Sequence, residues 1–180
     1  MAEAVRYRPP VTIGELDTLE HETQVRHELV DGWLYAMVGG TIRHERIGGN
    51  LFAALASHLA GGPCRAYKGD LKLRLGDDFY DPDIIVRGDD DTPDDATWLS
   101  DADVLIEVLS PSTQRCARGD KRQAYWAAPS LAEYITVAQH DELAERQSAR
   151  DAAIERFEGD DAVLRIQRLG FEISLAELYR

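Results

Sequence analysis

The sequence predicts an α/β fold, of the α+β kind built on a mixed sheet, and three observations carry that expectation. Two short apolar runs bounded by turn residues (83–86 and 104–109) read as strands buried on both faces, and 133–137 reads as another strand. Ile47, Leu51, Leu55 and Leu59, spaced by four, give one helix an apolar face. The chain of 180 residues, 44% hydrophobic and 29% charged, has the composition and length of one globular core, so a single domain over 1–180 is expected.

The elements follow in order. Thr12 can cap a short first helix, with Glu15 three residues on to close a capping box. In HELVDGWLYAM, Asp31-Gly32 separates two apolar runs and suits a type I′ hairpin turn. The helix carrying Ile47 to Leu59 stops at Gly61-Gly62-Pro63. Leu71, Leu73 and Leu75 alternate with Lys72 and Arg74, the period of a half-buried strand with its cations outward. The 83–86 and 104–109 strands are central, and Pro111 ends the second. A short helix over 119–127 precedes the 133–137 strand. The weaker alternation of IERFE and AVLRIQ, then SLAELYR, predicts a small closing β extension and a last helical turn.

Charge and cysteines narrow the functional classes. Asp and Glu number 33 against 20 Lys and Arg, a net charge of −13, so contact with nucleic acid has to come from a local basic patch. Cys64 and Cys116 lack the spacing of a disulfide framework or a cysteine zinc site. No stretch approaches the ~18 apolar residues of a membrane span, and the expectation is a cytoplasmic protein with no membrane partner. Phosphate-loop, dinucleotide-binding, nucleophile-elbow and zinc-protease motifs are all absent. The aspartate run 89–95 lacks the alternation of a calcium loop and reads as solvated.

Some residues fit a plain core poorly. Glu107 lies inside an apolar strand, where an ionised carboxylate is costly unless paired or bound to a metal; the alternatives are that it surfaces or meets an arginine. Asp83 stands at the mouth of a second apolar strand, and there the bland reading is a turn residue. Two carboxylates on neighbouring strands repel unless a cation lies between them, and hard oxygen donors suit Mg²⁺ or Mn²⁺. Lys121, opening the helix after the Glu107 strand, could orient water or stabilise charge on a phosphoryl oxygen, or belong to a solvated basic cluster. Tyr125 shares its helical face, as core packing or a phosphate contact. His44, at a helix start, and Glu28, before the hairpin turn, could reach the same cleft or be ordinary surface groups.

Taken together, D-P-D-I-I-V, L-I-E-V-L-S-P-S-T and G-D-K-R-Q-A-Y resemble the Uma-type restriction endonuclease family of the PD-(D/E)XK nuclease superfamily. HELVDG, H-E-R-I-G-G-N-L and LGFEISLAELY extend the likeness over nearly the whole chain. The resemblance implies a restriction-endonuclease-like core with an N-terminal helix and hairpin. It also implies Mg²⁺-dependent (or Mn²⁺-dependent) hydrolysis of DNA phosphodiester bonds. Asp83 and Glu107 would be metal ligands, aided by the carbonyl of Val108, Lys121 would position the attacking water, and His44 or Glu28 would complete the shell. In the wider superfamily the lysine follows the glutamate by two residues, where this chain has Leu109; the family's lysine on the following helix matches Lys121. Family members commonly carry an aspartate where this chain has Ala117. Substrate phosphates would fall to Lys72, Arg74, Arg118 and Tyr125, with Arg65, Lys68, Arg115 and Arg122 nearby, and a homodimer is expected by analogy. The rival reading is a non-catalytic binding or assembly module that keeps the nuclease fold.

Overall fold

The structure is a computed structural model that describes residues 4–5, 12–37, 39–88, 92–110 and 120–180. Helix α1 (Ile13–Thr23) begins at Thr12, whose side chain and that of Glu15 form the expected reciprocal capping box. Strands β2 (His27–Val30) and β3 (Trp33–Ala36) pair antiparallel, and β1 (Ala4–Val5) adds to β3. Asp31 and Gly32 both take positive φ, 51° and 77°, as a type I′ turn requires. Helix α2 (Ile42–Leu59) is capped by Thr41, ends ahead of the Gly-Gly-Pro, and buries Ile47, Gly48, Leu51 and Leu55.

Two six-stranded sheets follow. The smaller-stranded one runs β1-β3-β2-β6-β5-β8, with β5 (Lys72–Leu75), β6 (Asp78–Tyr80) and β8 (Trp98–Leu99). The main sheet runs β12-β11-β10-β9-β7-β4, with β4 (Cys64–Lys68), β7 (Ile84–Gly88), β9 (Val104–Leu109), β10 (Glu133–Ala138), β11 (Leu143–Ser148) and β12 (Asp151–Glu158). Strand β9 is antiparallel to β7 and parallel to β10, and every residue of β9 is buried. Its alternation sends Val104, Ile106 and Val108 into one core with Ile47, Leu51 and Leu55 of α2. Leu105 joins a second core on the opposite face, with Leu73, Tyr80, Tyr125 and Tyr134. Each buried aliphatic side chain contributes ~1.5–3 kcal/mol, so apolar layers on both faces hold β9 in the middle of the sheet.

Helix α3 (Asp120–Tyr125) lies in the second core through Tyr125. A third core, of Leu16, Leu29, Leu34 and Phe79, packs α1 on the small sheet. At the C-terminal end the expectation needs correction. Strands β11 and β12 extend the main sheet, and only β13 (Val163–Ile166) and β14 (Phe171–Ser174) form a separate two-stranded sheet ahead of α4 (Leu175–Tyr179). Buried charges hid β11: Arg146 bonds Glu133 at 2.8 Å and Glu155 at 2.5 Å, so this strand buries ion pairs where the alternation rule looks for apolar residues. Among the described residues no helix is long and apolar enough to cross a membrane.

Candidate active site

The site forms where the chain passes from the small sheet to the main one. Strand β6 ends at Tyr80, and Asp81-Pro82-Asp83 carries the backbone into β7. Pro82 favours extended backbone at Asp81 and so suits this straight crossing. The β7–β9 register pairs Ile84 with Ile106; one further step places Asp83 opposite Glu107. The Val108 N–H donates to Asp83 Oδ2 at 2.6 Å and draws that carboxylate against the edge of β9. From the first turn of α2, His44 Nε2 lies 3.5 Å from the same oxygen.

Helix α3 covers Glu107. Lys121 Nζ donates to Glu107 Oε1 at 3.3 Å, and the Tyr125 hydroxyl donates to the same oxygen at 2.7 Å. The four-residue spacing thus brings both side chains to one carboxylate. Strand β2 supplies Glu28, whose Oε1 lies 2.7 Å from Lys121 Nζ and accepts from the Asp81 N–H at 2.9 Å. Asp83, Glu107, Lys121, His44 and Glu28 are therefore brought together, from four elements and the link before β7.

Electrostatics set their protonation. Burial pushes Glu107 well above the usual carboxylate range, and Asp83 and Glu28 add to it against the opposing pull of Lys121 and Tyr125. Burial alone would lower Lys121, but the Glu107 and Glu28 charges outweigh it and hold the ammonium protonated. The hydrogen bond with Asp83, together with the Asp83 and Glu45 charges, overcomes burial and lifts His44 to about 9.

Two buried acids and the half-buried Glu20 already have cations of their own. Glu20 meets Lys72 at 2.8 Å, Asp81 meets Arg26, and Glu28 meets Lys121. That leaves Asp83 and Glu107 with His44 and a share of Lys121, a surplus of negative charge in a poorly hydrated place. None of the contacts above uses Asp83 Oδ1 or Glu107 Oε2. Among the described residues no three His, Cys, Asp or Glu side chains gather as a ready ion cage. Two hard carboxylates and a backbone carbonyl instead suit Mg²⁺, which keeps several waters and takes one or two carboxylates. The donor set fits that ion.

The expected phosphate contacts fare differently. Lys72 is 3% exposed, its ammonium held by Glu20 and the His27 carbonyl, so it points into the fold and not outward as the alternation suggested. Tyr125 is fully buried and spends its hydroxyl on Glu107. Arg74 lies over the Trp98 and Phe79 rings beside a cleft of about 590 Å³ that none of the five clustered side chains lines. Lys68 faces Glu45 at 3.2 Å, Arg122 faces Glu145 at 3.8 Å, and Arg65 bonds the Gly62 carbonyl. Arg115, Cys116, Ala117 and Arg118 lie outside the described residues.

Three features escaped the sequence. Arg26 and Asp81 support the crossing from a strand's flank. Gln139, buried at the end of β10, donates to the Thr41 hydroxyl at 2.5 Å and so braces the helix start that carries His44. Gly40 lies close against the site, since a Cβ there would come within 2.7 Å of His44 Nδ1 and 2.8 Å of Glu45 Oε1 and those side chains would have to shift. Only a polar residue closing an apolar run, as Gln139 does, hinted at any of them.

Comparison with known proteins gives a consistent picture. The Uma2 family model, described as "Putative restriction endonuclease", matches residues 13–176. "Uncharacterized protein slr1290" of Synechocystis sp. (strain ATCC 27184 / PCC 6803 / Kazusa) is 29% identical over 177 residues, covering 96% of this chain and 93% of that protein. "Uncharacterized protein sll1609" of the same organism is 22% identical over 133 residues, 72% and 75% of the two chains. The crystal structure of "a putative nuclease belonging to DUF820" from Anabaena variabilis ATCC 29413 superposes with a TM-score of 0.78 at 19% identity. It covers 94% of this chain and 98% of its own, and shows a shared fold.

Proposed function

Because the chain belongs to the Uma2 family, we propose that it hydrolyses DNA phosphodiester bonds at the Asp83–Glu107 pair with Mg²⁺ or Mn²⁺ as cofactor. The observation that carries this reading is the pair of carboxylates brought to one strand register, with only His44 and a share of Lys121 to balance them. Asp83, Glu107 and the Val108 carbonyl would hold the ion, which supplies Lewis acidity to the scissile phosphate when bound.

The chain's own groups do the rest. Lys121 stays protonated, so it is no general base; two of its three N–H groups face Glu28 and Glu107. The third can hold the attacking water or a non-bridging phosphoryl oxygen as charge develops there. Glu28 fixes the ammonium in place. His44, 3.5 Å from Asp83 Oδ2, would orient that carboxylate or complete the shell around the ion. A homodimer would bring two such sites to a duplex, one for each strand.

The test uses plasmid, linear duplex and single-stranded DNA with Mg²⁺ or Mn²⁺. Wild type should cleave, and Asp83→Asn and Glu107→Gln, near-isosteric changes that leave packing intact, should abolish cleavage together with any metal-induced rise in melting temperature. Cleavage surviving both substitutions would place the chemistry elsewhere. A wild type that neither cleaves nor responds to metal would leave the nuclease fold as a binding module.

A further inference from the structure

Behind the clustered carboxylates lies a contact that no catalytic step uses. Arg26, just ahead of β2, sends its guanidinium to three places at once. Nη2 donates to the Gly69 carbonyl at 2.7 Å and to Asp81, and Nη1 lies 3.2 Å from Asp70. One side chain therefore ties the start of β2, the turn after β4 and the crossing between the sheets. Asp81 is only 5% exposed, and its Oδ2 finds no hydrogen-bond partner. Lys72 and Lys121 also act on it as charges, but among the described residues Arg26 is the cation that bonds it directly, and losing that bond drives the carboxylate out of the interior, taking the crossing backbone with it.

The crossing matters because both ends of the site hang on it. The Asp81 N–H orients Glu28, which in turn holds Lys121 at 2.7 Å. Two residues later the same backbone delivers Asp83 to the Val108 N–H. We propose that Arg26 is a positioning residue which, by anchoring the buried Asp81 carboxylate, sets the Glu28–Lys121 contact and the placement of Asp83 together. The proposal rests on the nuclease reading for its consequence in catalysis, but its structural core concerns Lys121 alone. A forked donor suits this place: its two nitrogens reach Gly69 with Asp81 and Asp70 in separate directions, a spread that the single Nζ of a lysine does not reproduce.

The experiment compares wild type with Arg26→Lys, Arg26→Met and Arg26→Met/Asp81→Asn. The first readout is the Lys121 ammonium resonance in ¹H–¹⁵N spectra, assigned through Lys121→Arg. It should be sharp and slowly exchanging in wild type, lost or shifted in both single variants, and restored when Asp81→Asn removes the charge that needs anchoring. The second is the dissociation constant for Mn²⁺ from thermal-shift titration, expected to weaken ~10–100-fold in Arg26→Met, the usual cost of losing a group that orients metal ligands, and to recover in the double variant. A merely structural arginine gives a different result: the melting temperature falls, while well below it the ammonium resonance and the Mn²⁺ constant stay as in wild type, and the proposal is overturned. If Arg26→Met does not fold, Arg26→Gln, which keeps donors but removes the charge, carries the same two readouts, and wild-type values there overturn it equally. A wild type that binds no Mn²⁺ refutes the metal-dependent reading, while the ammonium resonance still decides the role of Arg26.

Discussion

Lys121 sits between two carboxylates that cannot both stay ionised without it. Its side chain is 14% exposed, with Glu28 and Glu107 at 7% and 9%, so the group is a buried triad and not a surface ion pair. Removing the cation leaves two buried acids sharing one oxygen environment, and Lys121→Met should cost ~3–5 kcal/mol in chemical denaturation. Adding Glu28→Gln removes one of the stranded charges while keeping an acceptor for the Asp81 N–H, and should recover a large part of that loss. Additive losses in the two variants would show that Glu28 and Lys121 do not interact. At this scale the sequence exposed Glu107 because a carboxylate inside Val104–Leu109 has few benign explanations, and Lys121 and Tyr125 because their spacing matches one helical face. It misled at Lys72, whose alternation with leucines predicts an outward cation. The partner that draws it inward, Glu20, lies on α1, far away in sequence, and local periodicity carries no information about such a pair.

Elements whose burial is apolar were legible; elements whose burial is ionic or hydroxylic were not. Strand β9 and helix α2 fall where hydrophobic spacing placed them, and the Asp31-Gly32 turn follows from backbone chemistry alone. Strand β11 was missed because Glu145 and Arg146 are buried through ion pairs. The role of α4 was equally hidden. Its Tyr179 hydroxyl donates to the Ala138 carbonyl at 2.6 Å and lies 3.1 Å from the Leu143 carbonyl, clasping the turn between β10 and β11. Burial, with Glu142 and Asp141 nearby, lifts this phenol from 10.0 to about 12 against the opposing effects of the Leu143 backbone and Arg43. The folded value exceeds the unfolded one, so the contribution is complete below about pH 10 and is lost as pH rises through about 12. Tyr179→Phe should lower stability near neutral pH by ~0.5–1.5 kcal/mol, the net worth of such a hydrogen bond. Its melting temperature should also fall less steeply than that of wild type across that alkaline window. Parallel curves would mean that another group, not this clasp, governs the alkaline transition.

Over the whole molecule, charge works against the proposed substrate. The net charge is −13, and among the described residues the cations around the candidate site already face protein carboxylates: Lys68 with Glu45, Lys72 with Glu20, Lys121 with Glu28, Arg122 with Glu145. A phosphate arriving there competes with those carboxylates for each cation and gains little from the long-range field. Sequence alone could not weigh this, since Lys68, Lys72 and Arg74 read as an available stripe until their partners are known. Few phosphates should therefore be neutralised directly, ~2–3, which sets the slope of log affinity against log salt near −2 to −3 for duplex DNA. On the proposed reading the same acidity should make binding depend on a divalent ion, because the ion would offset the Asp83–Glu107 charge that otherwise repels the scissile phosphate. Fluorescence anisotropy over a potassium chloride series, using the wild-type protein and a cleavage-resistant phosphorothioate duplex so that the DNA stays whole, measures the slope. A slope of about −6 or steeper, the signature of six or more phosphate contacts, would mean that cations other than these paired ones dominate the interface. A shallow slope would mean that recognition comes from the site itself, with the acidic surface keeping nonspecific DNA away.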